Sequence, residues 1–206
     1  MLAAYGQEDL SLLYFFSPSC SHCTAVAPVV KELSKEFPIQ GLVYGKGNPE
    51  PMPFEVRKGD KETSKRYGIQ GVPNLVVLNK GSVKTIFRGE HEIRDAGVML
   101  SAFRKGALTV SEVTAKGPQQ DITITGWVLN KGDYFKNTKF MLTDRRMDIQ
   151  VKPWLPLEVA RSPLRKTRPR LMSDVINKPV ALRGNFVKKE EGLEFVVTEE
   201  LSIGVR

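Results

Sequence analysis

The sequence predicts two domains of different class, an α/β domain followed by an all-β, barrel-like domain. Strand and helix patterns alternate up to about Lys116, whereas strand patterns predominate from Pro118. The chain has 206 residues, 41% of them hydrophobic, which is enough for one large or two small domains. We therefore expect an α/β domain over residues 1–116 and a β domain over residues 117–206.

The first half of the α/β domain is predicted from an uncharged run and a periodic stripe. Residues 10–16 carry no charge and predict a buried strand. An apolar stripe predicts a helix over residues 20–37, interrupted by Pro28. A second strand is expected over residues 39–44. The Pro- and Gly-rich residues 45–60 predict an irregular excursion, either a binding loop or a tolerated insertion.

The second half of this domain is expected to end in a hairpin and a helix. A short helix over residues 61–67 leads to a strand over residues 74–78. The turn residues 79–82 reverse the chain into a strand over residues 83–88. An amphipathic helix over residues 93–105 then closes the domain.

The β domain is predicted from alternating apolar residues in five short segments. A connector with a helix near residues 171–176 separates the third strand from the fourth. The strands are expected over residues 121–129, 138–143, 147–151, 180–187 and 193–198.

The chain has two cysteines, Cys20 and Cys23, in one C-x-x-C motif between the first strand and the first helix. A thiolate at a helix N-terminus is stabilised by free amides and the helix dipole, which favours redox chemistry. A structural disulfide, half of a zinc site and a chance spacing are the alternatives. A four-ligand zinc site needs two further Cys or His ligands, and His22 and His91 are the two histidines of the chain. Our expectation is redox chemistry, with no metal and no cofactor.

Three linked motifs resemble those of the thioredoxin family over residues 10–105. They are the C-x-x-C, the proline five residues later (Pro28), and Tyr67-Gly-Ile-Gln-Gly-Val-Pro73 before a strand. The resemblance implies that the Val72–Pro73 bond is cis, and X-Pro bonds are where cis peptides occur at modest cost. The Val72 backbone would then pair with an extended substrate segment. Strand initiation is the simpler interpretation of Pro73.

The resemblance also implies roles for the residues of the motif. Cys20 is expected to be the attacking nucleophile and Cys23 the resolving thiol that releases the mixed disulfide. His22 lies between them, and an imidazolium there would stabilise the thiolate, tune its pKa and make the disulfide more oxidising. A solvated helix residue without effect is the alternative for His22.

One departure from the family bears on the direction of exchange. Reducing thioredoxins have a buried aspartate six residues before the first cysteine, where this chain has Tyr14. Without that proton acceptor, efficient reduction is less favoured. Together with His22, Tyr14 favours an oxidase or isomerase.

The β domain resembles an OB-fold, a five-stranded barrel that often binds nucleic acids. From Gly117 the chain has 16 basic and 11 acidic residues, a net charge of +5. Aromatic and basic side chains could together bind single-stranded nucleic acid or another polyanion. A solvated loop and ordinary barrel aromatics are the alternative. The candidate binding residues are Trp127, Tyr134, Phe135, Arg165, Lys166, Arg168 and Arg170.

Two functions therefore compete. In the first, the α/β domain exchanges disulfides with protein substrates and a redox partner protein, and the β domain binds a partner. In the second, the β domain binds nucleic acid or a polyanion and the cysteine pair senses redox state. A sensor needs no cis-proline, which favours the enzyme, a thiol:disulfide oxidoreductase. The first residues lack the features of a signal peptide, and no apolar stretch could span a membrane. The resemblance to oxidases and isomerases of this family nevertheless implies a periplasmic or other extracytoplasmic location, with the cytoplasm as the alternative.

Overall fold

The computed structural model describes residues 9–130, 140–144, 154–158, 176–190 and 192–203. The chain divides into two compact units, one ending at Ala96 and the other beginning at Gly97. The division thus falls ahead of Gly117, where the sequence predicts the domain boundary, and that boundary stays a prediction.

A five-stranded mixed sheet organises the first unit, in the order β3-β2-β1-β4-β5. Strand β1 (Leu10–Phe16) lies at its centre, between β2 (Ile39–Val43) and β4 (Asn74–Asn79). It pairs parallel with β2 and antiparallel with β4. The outer strands are β3 (Val56–Lys58), parallel to β2, and β5 (Ser82–Arg88), antiparallel to β4.

Burial explains why β1 has so few polar residues. Leu12, Tyr14 and Phe15 of β1 are at most 1% exposed, so both faces of the strand are covered. A strand that is covered on both faces has a continuous apolar sequence rather than an alternating one. Because β1 is central and fixed on both sides, the residues at its end are held firmly.

Three helices belong to this unit. Helix α1 (Ser21–Leu33) contains Pro28 and buries Val26, Ala27 and Val30. It ends at Leu33 rather than at residue 37 and passes into a turn at Ser34. Helix α2 (Lys61–Arg66) is capped by the Asp60 carboxylate, which accepts a hydrogen bond from the Thr63 N–H at 2.7 Å. Helix α3 (Gly89–Arg94) follows β5 directly.

Two sequence predictions in this region were wrong. Residues 45–60 are not irregular throughout, because β3 forms within them. Strand β3 has only three residues and is stabilised by pairing with β2, so its sequence carries little signal. The single helix predicted over residues 93–105 is two helices, α3 and α4 (Ala96–Arg104), because α3 starts four residues earlier and ends at Arg94, with Asp95 as its C-cap.

The second unit contains α4, α5 (Val110–Lys116) and a closed barrel in the order β10-β8-β7-β6-β9. Strands β8 and β10 pair parallel, and the other pairs are antiparallel. This closed five-stranded barrel is consistent with an OB-like domain. The strands are β6 (Gln119–Asn130), β7 (Phe140–Thr143), β8 (Trp154–Glu158), β9 (Pro179–Lys189) and β10 (Gly192–Ile203).

Helix α5 was not predicted, although it completes the barrel core. Val110 and Val113 pack in one buried cluster with Ile124, Leu142 and other strand residues. Thr109 and Glu112 form a capping box at its first turn, a pattern visible in the sequence. The Asp144 carboxylate at the end of β7 accepts hydrogen bonds from the Val110 and Ser111 N–H groups at 2.6 and 2.9 Å, which fastens α5 to the barrel.

Two glycines allow the barrel strands to approach each other. A Cβ on Gly126 would lie 2.6 Å from the Thr143 carbonyl oxygen, and one on Gly184 would lie 2.1 Å from the Val196 carbonyl oxygen.

The third strand predicted for the barrel, over residues 147–151, lies outside the described residues. Among the described residues, β7 pairs with β8. Strand β8 was missed because Pro156 argues against a strand.

None of the helices in the described residues has the length and apolar character that a bilayer crossing requires.

Candidate active site at the start of helix α1

The two cysteines lie where β1 leads into α1. Cys20 is the N-cap of the helix, and its Sγ accepts a hydrogen bond from the Cys23 N–H at 3.3 Å. The first N–H groups of a helix have no partners within it, and they form the positive end of the helix dipole. This position therefore stabilises negative charge on the Cys20 sulfur.

The two thiols differ in their exposure to solvent. Cys20 is partly exposed, whereas Cys23 is 3% exposed, and both are free cysteines. Burial, followed by the hydrogen bond with the Cys20 sulfur, raises the pKa of Cys23 to about 12. The Ser17 N–H, 3.5 Å from the Cys23 sulfur, acts in the opposite direction. Cys23 therefore holds its proton while Cys20 faces solvent.

The segment before β4 brings a backbone carbonyl to the exposed sulfur. The Val72–Pro73 peptide bond is cis. The Cys20 thiol lies 3.7 Å from the Val72 carbonyl oxygen, within reach of a weak S–H···O contact. The Gly89 N–H donates to the Pro73 carbonyl at 2.8 Å, which anchors the segment to the start of α3. Cys20, Cys23, Val72 and Pro73 thus come together, although about fifty residues separate the two pairs in sequence.

Tyr14 lies behind the buried thiol. It is fully buried, its ring stacks on that of Phe16 with 4.9 Å between centroids, and its hydroxyl donates to the Cys23 carbonyl at 3.2 Å. Burial, then the nearby Cys23 and Cys20, raises the pKa of the Tyr14 phenol well above its ordinary value. A phenol that keeps its proton this firmly cannot accept the Cys23 proton at neutral pH.

His22 faces a carboxylate that sequence reasoning missed. Its Nδ1 lies 2.8 Å from Glu90 Oε2, and the imidazole is 69% exposed. Glu90 also accepts from Arg94 Nε and Nη2 at 2.9 and 2.7 Å, and hydrogen bonds from His22 and then Arg94 lower the pKa of its carboxyl. Glu90 follows His22 by 68 residues, and no spacing rule in the sequence connects them.

Glu90 offsets the charge that the sequence analysis assigned to His22. We expect Glu90→Gln to shift the dithiol–disulfide equilibrium about two- to fivefold toward the dithiol, which makes the disulfide more oxidising. The reason is that the substitution removes a carboxylate that faces His22 and opposes negative charge on the nearby Cys20 sulfur. The measurement is the dithiol–disulfide equilibrium against glutathione.

Glu32→Gln provides the matched control for this prediction. Glu32 lies near the far end of α1, where it pairs with Lys35 and is 70% exposed. The substitution removes the same charge and should leave the equilibrium unchanged. An equal shift in both variants would mean that net charge, rather than the His22–Glu90 pair, sets the equilibrium.

Of the binding residues predicted for the β domain, Trp127 alone lies within the described residues. Trp127, on β6, is 1% exposed, so its ring cannot stack on a base from solvent, and that prediction was wrong. Tyr134, Phe135, Arg165, Lys166, Arg168 and Arg170 lie outside the described residues. In the part of the chain that the structure describes, no three His, Cys, Asp or Glu side chains are grouped to hold a metal.

Comparisons with known proteins converge on one family. The family described as "TraF: F plasmid transfer operon protein" matches residues 3–90. Thioredoxin of Bacillus subtilis is 30% identical over 81 residues, which cover 39% of this chain and 69% of that protein. Human protein disulfide-isomerase A4 is 30% identical over 80 residues, 37% of this chain.

The chain spans 11% of the length of that disulfide isomerase. Among solved structures, the thioredoxin of Schistosoma mansoni aligns with 23% identity and a TM-score of 0.34. The alignment covers 47% of this chain and 81% of that one.

Proposed function

The chain belongs to the thioredoxin family of thiol:disulfide oxidoreductases, and on that premise we propose that it exchanges disulfides with protein substrates through Cys20 and Cys23. One observation carries the proposal: the partly exposed Cys20 sulfur caps α1 and lies 3.7 Å from the Val72 carbonyl, beside Pro73. A nucleophile, a buried second thiol and a free backbone edge for an extended peptide are the parts that such a reaction needs.

The exchange takes two steps. The Cys20 thiolate attacks one sulfur of a substrate disulfide, forming a Cys20–substrate bond as the substrate bond breaks, and the departing sulfur takes a proton from water. Cys23 then loses its proton and attacks the Cys20 sulfur, which forms the Cys20–Cys23 disulfide and releases the second substrate sulfur. Two electrons pass to the substrate, and the reverse sequence oxidises a substrate dithiol.

The surroundings of Cys23 favour isomerase work over net reduction. The second step requires that Cys23 lose its proton. The groups described around this thiol include Tyr14, but no carboxylate that shifts the pKa of Cys23. A slow second step leaves the Cys20–substrate bond in place for longer. Another thiol of the substrate can then attack that bond and rearrange the disulfides, with the Cys20–Cys23 pair returned unchanged.

Two assays on the unaltered protein test this direction. We expect it to speed the recovery of scrambled ribonuclease in a glutathione buffer. We also expect it to reduce insulin at least about tenfold more slowly than Bacillus subtilis thioredoxin measured alongside, because general base catalysis of the second step is missing. Protein alkylated at both cysteines is the control. Insulin reduction as fast as that thioredoxin's would contradict the proposed direction.

We extend the proposal to the barrel, which we assign as a partner-binding module. Both cysteines of the chain precede it, so the barrel supplies no thiol to the exchange. It is nevertheless a closed structure with its own core, completed by α5. OB-like barrels commonly serve as binding modules, and this supports a docking role toward a substrate or a redox partner protein.

A further inference from the structure

The segment that presents Val72 to Cys20 is packed at some positions and open at others. In this docking segment, residues 68–73, Ile69 and Val72 pack against the core, and Pro73 is buried. At Gly68 and Gly71, by contrast, an added Cβ would meet no atom within 4 Å. Hydrogen bonds are therefore needed to hold the backbone at the two glycines.

Both ends of the docking segment are tied down. At its start, the Ile69 N–H donates to the Ser64 carbonyl at 2.8 Å, and Arg88 Nη1 donates to the Gly68 carbonyl at 3.1 Å. At its end, the Gly89 N–H donates to the Pro73 carbonyl at 2.8 Å. Gln70 and Gly71, which lie between these hydrogen bonds, are exposed.

Asn74 supplies the hydrogen bond to the middle of the segment. Its Nδ2 donates to the Gly71 carbonyl at 2.6 Å, and the side chain is 5% exposed at the first position of β4. The carbonyl acceptor fixes the amide orientation, because only the nitrogen can face it. The Asn74 Oδ1 atom is then buried without a hydrogen-bond partner among the described residues, which carries a desolvation cost.

We propose that Asn74 is a positioning residue for protein substrates: it holds Gly71 so that the next residue, Val72, keeps its backbone aligned beside Cys20. The inference rests on the proposed function. An extended substrate gains most from a backbone edge that is already ordered, because ordering it on binding costs free energy. A small disulfide reaches Cys20 without using that edge. Asn74 therefore acts on the affinity for protein substrates and leaves the chemistry of the sulfur unchanged.

Asn74→Val tests the inference, because valine fills a similar volume, suits a strand and lacks the donor. We expect kcat/KM for scrambled ribonuclease to fall about three- to tenfold through KM, which corresponds to the loss of one hydrogen bond. The rate with hydroxyethyl disulfide and the equilibrium with glutathione should stay as in the unaltered protein. Amide hydrogen exchange at Gly71 and Val72 should become faster. Asn74→Ala repeats the test if the valine variant does not fold.

Asn79→Val is the matched control. Asn79 ends the same strand and also has a buried Oδ1 without a partner among the described residues, but it lies at the hairpin turn, away from the cysteines. It should change none of these measurements. Equal losses on the protein and small substrates, or unchanged amide exchange in Asn74→Val, would overturn the inference. Inactivity of the unaltered protein on any protein disulfide would instead refute the proposed function.

Discussion

Replacing Cys20 with serine is expected to reduce disulfide exchange to the uncatalysed rate. Cys20 has the partly exposed sulfur at the helix N-terminus, whereas Cys23 is 3% exposed and has its pKa raised by burial. Serine supplies a hydroxyl oxygen as the N-cap acceptor in place of the sulfur, so α1 should still form. The measurement is the recovery of scrambled ribonuclease in a glutathione buffer, with thermal unfolding as the check on folding.

Cys23→Ser is the matched variant and should behave differently. It keeps the attacking thiol but lacks the resolving one, so a Cys20–substrate disulfide should accumulate and disappear on treatment with dithiothreitol. Non-reducing electrophoresis after mixing with oxidised substrate measures it. If the covalent complex instead formed with Cys20→Ser, the two roles would be reversed.

The sequence was sufficient for the parts of the site that depend on local order. An apolar run, a C-x-x-C and a periodic stripe predicted β1, the helix start and the position of Cys20 at their junction. These features depend on neighbouring residues, which is where pattern and propensity carry information. The strand order of the barrel, by contrast, is set by pairings between distant segments such as β8 with β10.

The features that the sequence did not reveal are long-range contacts. Glu90 meets His22 only because α3 packs near α1, and Asn74 bonds to Gly71 only because the chain turns sharply before β4. Trp127 looked like a surface ring because aromatic residues occur both in cores and at binding sites, and only its burial decides between them. These errors concern packing rather than local structure.

The second large effect is expected at Tyr14, which lies behind the resolving thiol in a position where a carboxylate could take its proton. In the unaltered protein, the release of a thionitrobenzoate group from Cys20 should accelerate about tenfold for each pH unit between pH 6 and 9. Below its raised pKa, the thiolate fraction of Cys23 grows in that proportion. Tyr14→Asp places a carboxylate behind Cys23, so release at pH 7 should be roughly a hundredfold faster and should level off with pH.

Tyr14→Phe separates the effect of a base from the loss of the hydroxyl. It keeps the ring that stacks on Phe16 and removes only the hydrogen bond to the Cys23 carbonyl, so the pH slope should stay the same. Stability is the concern for the aspartate variant. Tyr14 is fully buried, and replacing its ring with a much smaller side chain costs about 3–5 kcal/mol in free energy of unfolding. If Tyr14→Asp does not fold, the pH dependence of thionitrobenzoate release in the unaltered protein still tests the prediction. A release rate that levels off near pH 7 would mean that Cys23 is already deprotonated there or that another base takes its proton, and it would remove the main argument for isomerase work.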